Sequence, residues 1–409
     1  MQKMVLYGVG GLYNYGCEAI VRGTAEILRR AVPGSLIRYV TPRPKDDMRR
    51  ISDTDIEICK LQMGERGMLL RAANRLARAA CAPFDSTQID YASILHDGDV
   101  LVSIGGDIYT IPAYLRGRSR YPYFNPLVRA GELARSRGIP EVVIGASIGP
   151  FGDYRPAVRY YADHLRGIDL ICCRERRSVD YLSSIGVRDN VCLLPDPAFF
   201  VEGEEPGDPW DRSECLGINL SPLSLRELSG AQTDADAARF ARLVEELMDS
   251  TGLRAMLIPH VISPDPGDND LLFLKKVACA MDAAHRNRAE VVEPTGFLDA
   301  KRYLRRCRLA VAARMHCAVN AMCEGVPTIL LSYSQKSVGM CEFVYGTDRW
   351  VLPLGSAAER LPSLLFELNE SAEAVHSSLL GRIRAIREIT FSSDSFARLA
   401  ASIPLGRFQ

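Results

Sequence analysis

The sequence lacks an excess of charge of either sign, because its 409 residues carry 50 lysines and arginines and 50 aspartates and glutamates. A dedicated nucleic-acid-binding protein carries a basic excess, so this balance excludes that class while leaving room for a local basic pocket. The hydrophobic fraction of 47% is that of an ordinary globular protein, which excludes a disordered chain. At roughly 100–200 residues per domain, the length predicts two or three domains.

Long apolar runs and paired cysteines are also missing. No stretch approaches the roughly 18 apolar residues of a membrane span. The first apolar run, Met4–Tyr7, stops at Gly8, too early for a signal-peptide core. The 12 cysteines are scattered without a C-x-x-C pair, so neither a disulfide framework nor a zinc site is expected. The sequence therefore predicts a reduced, metal-free, cytoplasmic protein.

Short apolar runs alternate with longer helical periods along the chain, which is typical of βα units and a mainly parallel sheet. The segment Pro206–Asp211 contains two prolines and a glycine, the composition of a linker. We therefore predict two α/β halves over residues 1–207 and 208–370, followed by helices over residues 371–409 that could pack back on the first half.

The runs that predict buried strands are short and rich in Val, Ile, Leu and Cys. In open α/β sheets, ligands bind outside the carboxyl ends of the strands, and a protein of two halves usually binds its ligand in the cleft between them. Residues that follow a strand are therefore the candidates for a site. The predicted strands are Met4–Tyr7, Ile37–Val40, Val100–Ile104, Glu141–Ala146, Leu170–Cys173 and Cys192–Leu194 in the first half, and Cys215–Leu220, Arg254–Ile258, Glu290–Val292, Leu309–Ala312 and Thr328–Leu331 in the second.

The first candidate segment follows strand Met4–Tyr7 and opens a helix. Its Asn14 and Glu18 could hydrogen-bond sugar hydroxyls or position a reacting one. Equally, Asn14 could cap the helix and Glu18 could complement the helix dipole. The glycines here do not match G-x-G-x-x-G in register, which argues against a dinucleotide site.

Two more candidates stand at strand exits in the first half. Gly105 and Gly106 would let the backbone approach a ligand closely, and Asp107 follows where an acceptor hydroxyl could bind. A tight strand exit with a capping aspartate would explain the same residues. Arg174 ends another apolar run, and its guanidinium could hold a carboxylate or phosphate through two hydrogen bonds.

The most informative segment lies in the second half, after the run Leu309–Ala312. Arg314 and His316 leave this strand at the entry to a helix. Histidine titrates near neutrality, so His316 could donate or accept a proton. Lys336 follows the next predicted strand and could reach the same site.

The stretch Arg66–Ala80 predicts a basic amphipathic helix. It could lie on an anionic membrane surface and reach lipid-linked substrates. The alternative is that its Leu and Ala face packs on the protein itself.

Together these segments resemble the polysaccharide pyruvyl transferase family over most of the chain. The motifs that carry the resemblance are N-Y-G-x-E-A-I from Asn14, G-G-D at 105–107, Ser147–Pro150, Arg174, Asp196-Pro197, Pro259-His260, R-M-H-C from Arg314 and Y-S-Q-K from Tyr333. Members of that family transfer pyruvate from phosphoenolpyruvate to a sugar, usually as a cyclic ketal. They adopt two Rossmann-like halves facing a cleft, similar to glycosyltransferases of the B type. The resemblance implies the same fold and reaction here, in cell-surface or capsular polysaccharide assembly at the inner membrane face or in the cytoplasm.

The resemblance also implies roles for single residues. The family's phosphoenolpyruvate-binding arginine falls on Arg174, its R-x-H motif on Arg314, Met315 and His316, and its lysine on Lys336. Phosphoenolpyruvate serves as co-substrate, with no further cofactor. The acceptor could be a nucleotide sugar, a lipid-linked oligosaccharide or a finished glycan.

Asn14, Glu18 and Asp107 are assigned to the acceptor side. Two residues there depart from the family pattern: Cys17 stands where an aspartate is common, and Asp107 where a third glycine is common. Both departures concern the identity of the acceptor rather than that of the donor.

The chemistry agrees with these residue types. A phosphate carries about −1.5 to −2 charges, to which phosphoenolpyruvate adds a carboxylate, so its site needs several cations. Arg174, Arg314 and Lys336 would supply three. Ketal formation requires a proton for the methylene carbon, which we assign to His316, and Glu18 could be the base for a sugar hydroxyl.

Two other functions fit the same outline. A glycosyltransferase that uses a nucleotide sugar would share the architecture, and would need a carboxylate for the ribose such as Glu324 or Glu342. A non-catalytic sugar- or anion-binding protein would leave the combination of Arg174, Arg314, His316 and Lys336 unexplained.

Overall fold

The computed structural model describes residues 2–63, 81, 89–203, 214–223, 234–332 and 335–404. The predicted linker Pro206–Asp211 and the predicted amphipathic helix Arg66–Ala80 lie outside the described residues. The chain divides into two compact units. One contains Met1–Gly11, Ile20–Phe200 and Ile389–Gln409, and the other contains Leu12–Ala19 and Val201–Glu388.

The first unit is built on a seven-stranded parallel sheet. Its strands are β1 (Lys3–Tyr7), β2 (Leu36–Thr41), β3 (Glu57–Lys60), β4 (Asp99–Ile104), β5 (Glu141–Ala146), β6 (Leu170–Cys173) and β7 (Val191–Leu193). They are arranged in the order β3-β2-β1-β4-β5-β6-β7, and every neighbouring pair is parallel. The strand order reverses between β1 and β4, which is the switch point where Rossmann-type sheets bind ligands.

Helices follow the strands of the first unit, because neighbouring parallel strands must be joined by a crossover connection, which is usually a helix. They are α1 (Tyr15–Ala31), α2 (Pro44–Arg50), α3 (Ala113–Arg116), α4 (Pro126–Ser136), α5 (Arg155–Arg166) and α6 (Arg176–Ser184). The side chain of Asn14 accepts a hydrogen bond from Gly16 N at 3.0 Å, so it caps the start of α1. Strands β4 and β5 are buried along their whole length, as expected of strands covered on both faces.

The second unit repeats this arrangement on six parallel strands. They are β8 (Cys215–Asn219), β9 (Arg254–Leu257), β10 (Ala289–Val291), β11 (Leu309–Ala312), β12 (Thr328–Ser332) and β13 (Val351–Pro353), in the order β10-β9-β8-β11-β12-β13. The switch point lies between β8 and β11. The helices are α7 (Asp234–Thr251), α8 (Asp270–Ala280), α9 (Ala283–Arg286), α10 (Phe297–Arg305), α11 (Met315–Cys323), α12 (Gln335–Tyr345), α13 (Ala357–Glu370) and α14 (Ala372–Phe391).

The end of the chain belongs to the first unit from Ile389 onward. The last helix, α15 (Asp394–Ser402), places Arg398 beside β7, where its guanidinium donates to the carbonyl oxygens of Val191 and Asp189 at 3.0 and 2.8 Å. The sequence predicts domain boundaries after residues 207 and 370. The chain passes between the compact units at 11/12, 19/20, 200/201 and 388/389.

The structure confirms the predicted parallel α/β class. Each predicted strand is present, with its ends shifted by one residue or not at all. Two edge strands were not predicted. Strand β3 is Glu-Ile-Cys-Lys, with polar residues at both ends, and β13 ends on Pro353, so neither has the apolar run of a buried strand. None of the described helices combines the length and the apolar character needed to cross a membrane.

Candidate functional site

The three residues Arg314, Met315 and His316 lie at the switch point of the second unit. Strand β11 ends at Ala312, and α11 begins at Met315 with Arg314 as its N-cap residue. The three side chains are half-buried, whereas β11 and the rest of α11 are buried. The first N–H groups of a helix carry partial positive charge, so this turn combines a cation, an imidazole and a helix N-terminus that favours anions.

The Arg314 guanidinium is held by two carboxylates that the sequence did not single out. Its Nη2 donates to Asp268 at 2.5 Å and to Asp270 at 2.8 Å, and its Nε donates to Asp270 at 3.1 Å. The backbone N–H of Arg314 donates to the side chain of Asn219, at the end of β8, at 2.9 Å. Burial alone would lower the pKa of Arg314, but Asp270 and Asp268 outweigh it and hold this pKa above its ordinary value.

Asp270 also fixes the loop that carries His260. Its second oxygen accepts from the backbone N–H groups of His260 and Val261 at 3.1 and 3.0 Å. The His260 ring is buried and packs edge-on against Tyr15 and Phe297. Burial, together with the charges of His316 and Arg314, lowers the pKa of His260 well below its ordinary value, so this imidazole is neutral at pH 7.

The amino-terminal motif, which we define as Asn14–Ala19, belongs to this same unit. Residues Leu12–Ala19 group with the second sheet, although the strand that precedes them is β1 of the first. Asn14 forms an antiparallel bridge with Val261, and the buried carboxylate of Glu18 accepts from the backbone N–H of Phe297, at the start of α10, at 2.9 Å. Glu18 therefore caps a helix of the second unit. Its predicted role as a base stays a prediction.

Lys336 lies in the first turn of α12, directly after β12. Its side chain lies outside the described part of the chain. Its predicted contact with phosphoenolpyruvate stays a prediction.

Arg174 lies at the end of β6 in the first unit and is buried, with 5% of its surface exposed. Its Nε donates to Ser147 Oγ at 2.8 Å and its Nη1 donates to the fully buried carboxylate of Asp196 at 2.7 Å. Asp107 lies 3.6 Å from its Nη2. Burial alone would lower the pKa of Arg174, but Asp196 and Asp107 more than offset this and raise it.

Asp107 also lines a cavity of about 750 Å³ in the first unit. The cavity lies at the carboxyl ends of β1, β2 and β4, and Tyr123, Leu127 and Tyr161 contribute to its largely apolar wall. Gly8 forms part of the wall with a φ of +137°, and a Cβ there would collide with the carbonyl oxygen of Ile104, so this strand exit requires glycine. The described lining residues include no lysine, arginine or histidine. An uncharged ligand suits such a wall.

Two other polar groups bear on the alternatives. Glu324, a candidate partner for a ribose, is ion-paired with Lys301 at 2.8 Å and with Arg305 at 2.5 Å. Glu342, the other candidate, lies exposed on α12.

One cluster in the described residues has the donor set for a metal ion, namely Glu245, Asp282 and His285. Both nitrogens of His285 already contact carboxylates, those of Asp282 at 2.7 Å and Asp249 at 3.0 Å. These exposed ion pairs account for the cluster without a metal.

The structure thus divides the predicted site residues differently from the sequence. Asn14 and Glu18 lie in the same unit as Arg314, Met315 and His316, while Arg174 lies beside Asp107 in the other. Sequence reasoning missed Asp268, Asp270 and Asn219 as partners of Arg314. Asp196 and His260 belong to the sequence motifs, but no role was predicted for either.

Comparisons with solved structures identify the fold. The HepE protein of Anabaena, solved in complex with UDP-glucose, has 12% identity and a TM-score of 0.54, with 98% of each chain covered. A UDP-GlcNAc 2-epimerase from Neisseria meningitidis has 10% identity and a TM-score of 0.53, covering 96% of this chain and all of that one. A ugt transferase from Siraitia grosvenorii, in complex with UDP, has 12% identity and a TM-score of 0.56, covering 98% of this chain and all of that one. These similarities support the glycosyltransferase-B-like class predicted from the sequence.

A family model supplies the more specific match. It covers residues 14–335, from the helix cap Asn14 to the start of α12, and so includes the switch point of the second unit and every predicted site residue except Lys336. The chain belongs to the polysaccharide pyruvyl transferase family.

Proposed function

We propose that this protein transfers a pyruvyl group from phosphoenolpyruvate to two hydroxyls of one sugar in a cell-surface polysaccharide precursor, forming a ketal and releasing phosphate. We place the reaction in the cytoplasm or at the inner face of the membrane. The observation that carries the proposal is the position of His316, a half-buried imidazole in the first turn of α11 at the switch point of the second sheet.

The proposed reaction adds one proton to a carbon of phosphoenolpyruvate and releases two protons from the sugar hydroxyls. His316 gives a proton to the methylene carbon of phosphoenolpyruvate, which becomes the methyl group of the product. The adjacent carbon then bonds to one sugar oxygen, its bond to the phosphate oxygen breaks, and a second sugar oxygen closes the ketal. The two hydroxyls release two protons, one of which restores His316 while the other leaves on phosphate.

Cations would stabilise the departing phosphate. We assign the stabilisation of the phosphate to the cations of Arg174, Arg314 and Lys336. Met315 is the first residue of α11, where backbone N–H groups attract anions, and we expect it to contribute through its backbone. Arg314 meets two carboxylates, so the helix N-terminus is needed to make this turn attractive to an anion.

We assign the acceptor sugar to the cavity of the first unit. Aromatic and aliphatic walls with a few polar groups are typical of small-molecule sites. Asp107 is the lining carboxylate that could accept a hydrogen bond from a sugar hydroxyl. Because the described wall lacks basic side chains, a neutral sugar fits it better than a diphosphate.

The test is thermal unfolding of the full chain with and without millimolar phosphoenolpyruvate, with UDP and UDP-sugars as comparators. A ligand at about a hundred times its dissociation constant stabilises the native state by roughly 2.7 kcal/mol, a readily measured shift. We expect phosphoenolpyruvate to raise the unfolding temperature of the wild-type chain, and Arg174→Ala to abolish that rise relative to its own ligand-free baseline. A rise with UDP compounds alone would favour a nucleotide-sugar glycosyltransferase.

A further inference from the structure

The segment Tyr13–Glu18 is tied to the second unit by backbone hydrogen bonds. Tyr15 N donates to the carbonyl oxygen of His260 at 3.0 Å, and Ile262 N donates to that of Tyr13 at 3.0 Å. The Tyr15 hydroxyl donates to the carbonyl oxygen of Pro294. With the Glu18 carboxylate bound to the N-terminus of α10, these contacts fix the first turn of α1 from several sides.

Within that turn, Gly16 lies against the ring of His316. A Cβ placed on Gly16 would lie 2.5 Å from His316 Nδ1, 2.8 Å from its Cγ and 2.9 Å from its Cβ. Real Cβ atoms do not approach other heavy atoms this closely. The backbone of Gly16 has no left-handed φ, so its conformation would admit an alanine. Contact with the imidazole is therefore the reason that glycine is required.

We infer that Gly16 is a positioning residue for His316: its missing side chain leaves the space that the imidazole occupies, and the contacts of Tyr13, Tyr15 and Glu18 hold the Gly16 backbone there as a fixed wall. The inference rests on the proposed function for the catalytic role of His316, but the contact itself does not. The amino-terminal motif then shapes the surroundings of the proposed acid instead of only contacting the acceptor sugar.

The first experiment compares Gly16→Ala with a matched control, Gly381→Ala. Gly381 lies in α14 of the same unit, is exposed, and has no atom within 4 Å of where its Cβ would be. Alanine ordinarily stabilises a helix relative to glycine. We expect Gly16→Ala to lower kcat by about 10- to 100-fold, with a smaller change in the KM for phosphoenolpyruvate, because a displacement of about 1 Å is enough for such a loss. Gly381→Ala should keep both constants.

The second experiment is a double-mutant cycle on stability, which needs no turnover. Gly16→Ala should lower the unfolding temperature in the wild-type background and leave it unchanged or raised in a His316→Gly background, where both the ring and the Cβ of His316 are gone. If Gly16→Ala alone fails to fold, a folded double variant supports the inference as well. An equal loss in both backgrounds would overturn it, as would wild-type kcat and stability in Gly16→Ala.

Failure of the two proposals can be told apart. A wild-type chain that neither binds nor turns over phosphoenolpyruvate would end the proposed function. The stability cycle would still decide whether Gly16 and His316 are coupled.

Discussion

Arg314 and Asp270 form a two-point ion pair in the second unit. The guanidinium donates from Nε at 3.1 Å and from Nη2 at 2.8 Å to one oxygen of a carboxylate that is fully buried. The other oxygen accepts from the backbone of the His260 loop. One carboxylate thus links the R-x-H turn to the loop that packs against the amino-terminal motif.

We predict that Arg314→Gln destabilises the protein by about 3–5 kcal/mol, because removing one partner leaves a buried charge uncompensated. The free energy of unfolding from urea titration measures this loss. Arg302→Gln is the control, since Arg302 makes an exposed ion pair with Asp299, a kind worth about 0–1 kcal/mol. Equal losses of unfolding free energy for the two variants would show that the buried Arg314–Asp270 pair stabilises the protein no more than an exposed pair does.

His316→Gln tests the proposed acid. Glutamine has a similar size but cannot give a proton, so we expect turnover to fall by about 10²–10⁴-fold while the unfolding temperature changes little. Phosphoenolpyruvate-dependent release of phosphate measures the rate. His376→Gln serves as the histidine control, because His376 contacts the carbonyl oxygen of Gly325 at 2.7 Å in the same unit and has no role in the proposed reaction. A near-wild-type rate in His316→Gln would remove the assignment.

Two substitutions of Glu18 separate its structural contact from the proposed base. Glu18→Ala leaves the buried N–H of Phe297 without its acceptor, which should cost about 1–3 kcal/mol of unfolding free energy. Glu18→Gln keeps an acceptor oxygen and should cost less, yet as a base it should lose turnover by about 10²-fold or more. Unchanged kinetics in Glu18→Gln would mean that Glu18 is not the base and only caps the start of α10.

The sequence predicted the strands of the two sheets better than it predicted the ion-pair and hydrogen-bond partners of the site residues. Apolar runs in the sequence predict buried parallel strands. Because ligands bind at the carboxyl ends of such strands, Arg314 and His316 could be named as candidates from their positions alone. Asp270 stands 44 residues before Arg314 in the chain and begins a helix of its own, so no local pattern links the two.

The amino-terminal motif shows the same limit. Asn14 and Glu18 follow β1, and continuity along the chain suggested that they act in the first half. Their assignment to the second unit depends on the bridge between Asn14 and Val261 and on the bond from Phe297, both of which join residues far apart in the sequence. The sequence around Gly16 does not show why glycine is needed there, because the need arises from contact with the ring of His316.

A buried acid in the first unit predicts a dependence of stability on pH. Glu141 opens β5, where Ser103 Oγ donates to its carboxyl at 3.2 Å, and burial raises its pKa from 4.5 to about 8. Between these two values the folded state holds a proton that the unfolded state has released. Stability contributed by this group is therefore fully present below about pH 4.5 and is lost as the pH rises toward 8.

Glu141→Gln isolates this effect, because glutamine resembles the protonated acid and does not titrate. We expect the difference in unfolding free energy between Glu141→Gln and wild type to shift steadily in favour of the variant from pH 5 to pH 8 and then to level off. Burial lowers the pKa of the neighbouring His164 to about 3, which makes stability rise between about pH 3 and 6.5, but this contribution is common to both proteins and cancels in the difference. Glu132→Gln, which alters an exposed ion pair with Arg129 on α4, should show no such drift. A difference between Glu141→Gln and wild type that stays constant across the range would mean that Glu141 is ionised in the folded protein.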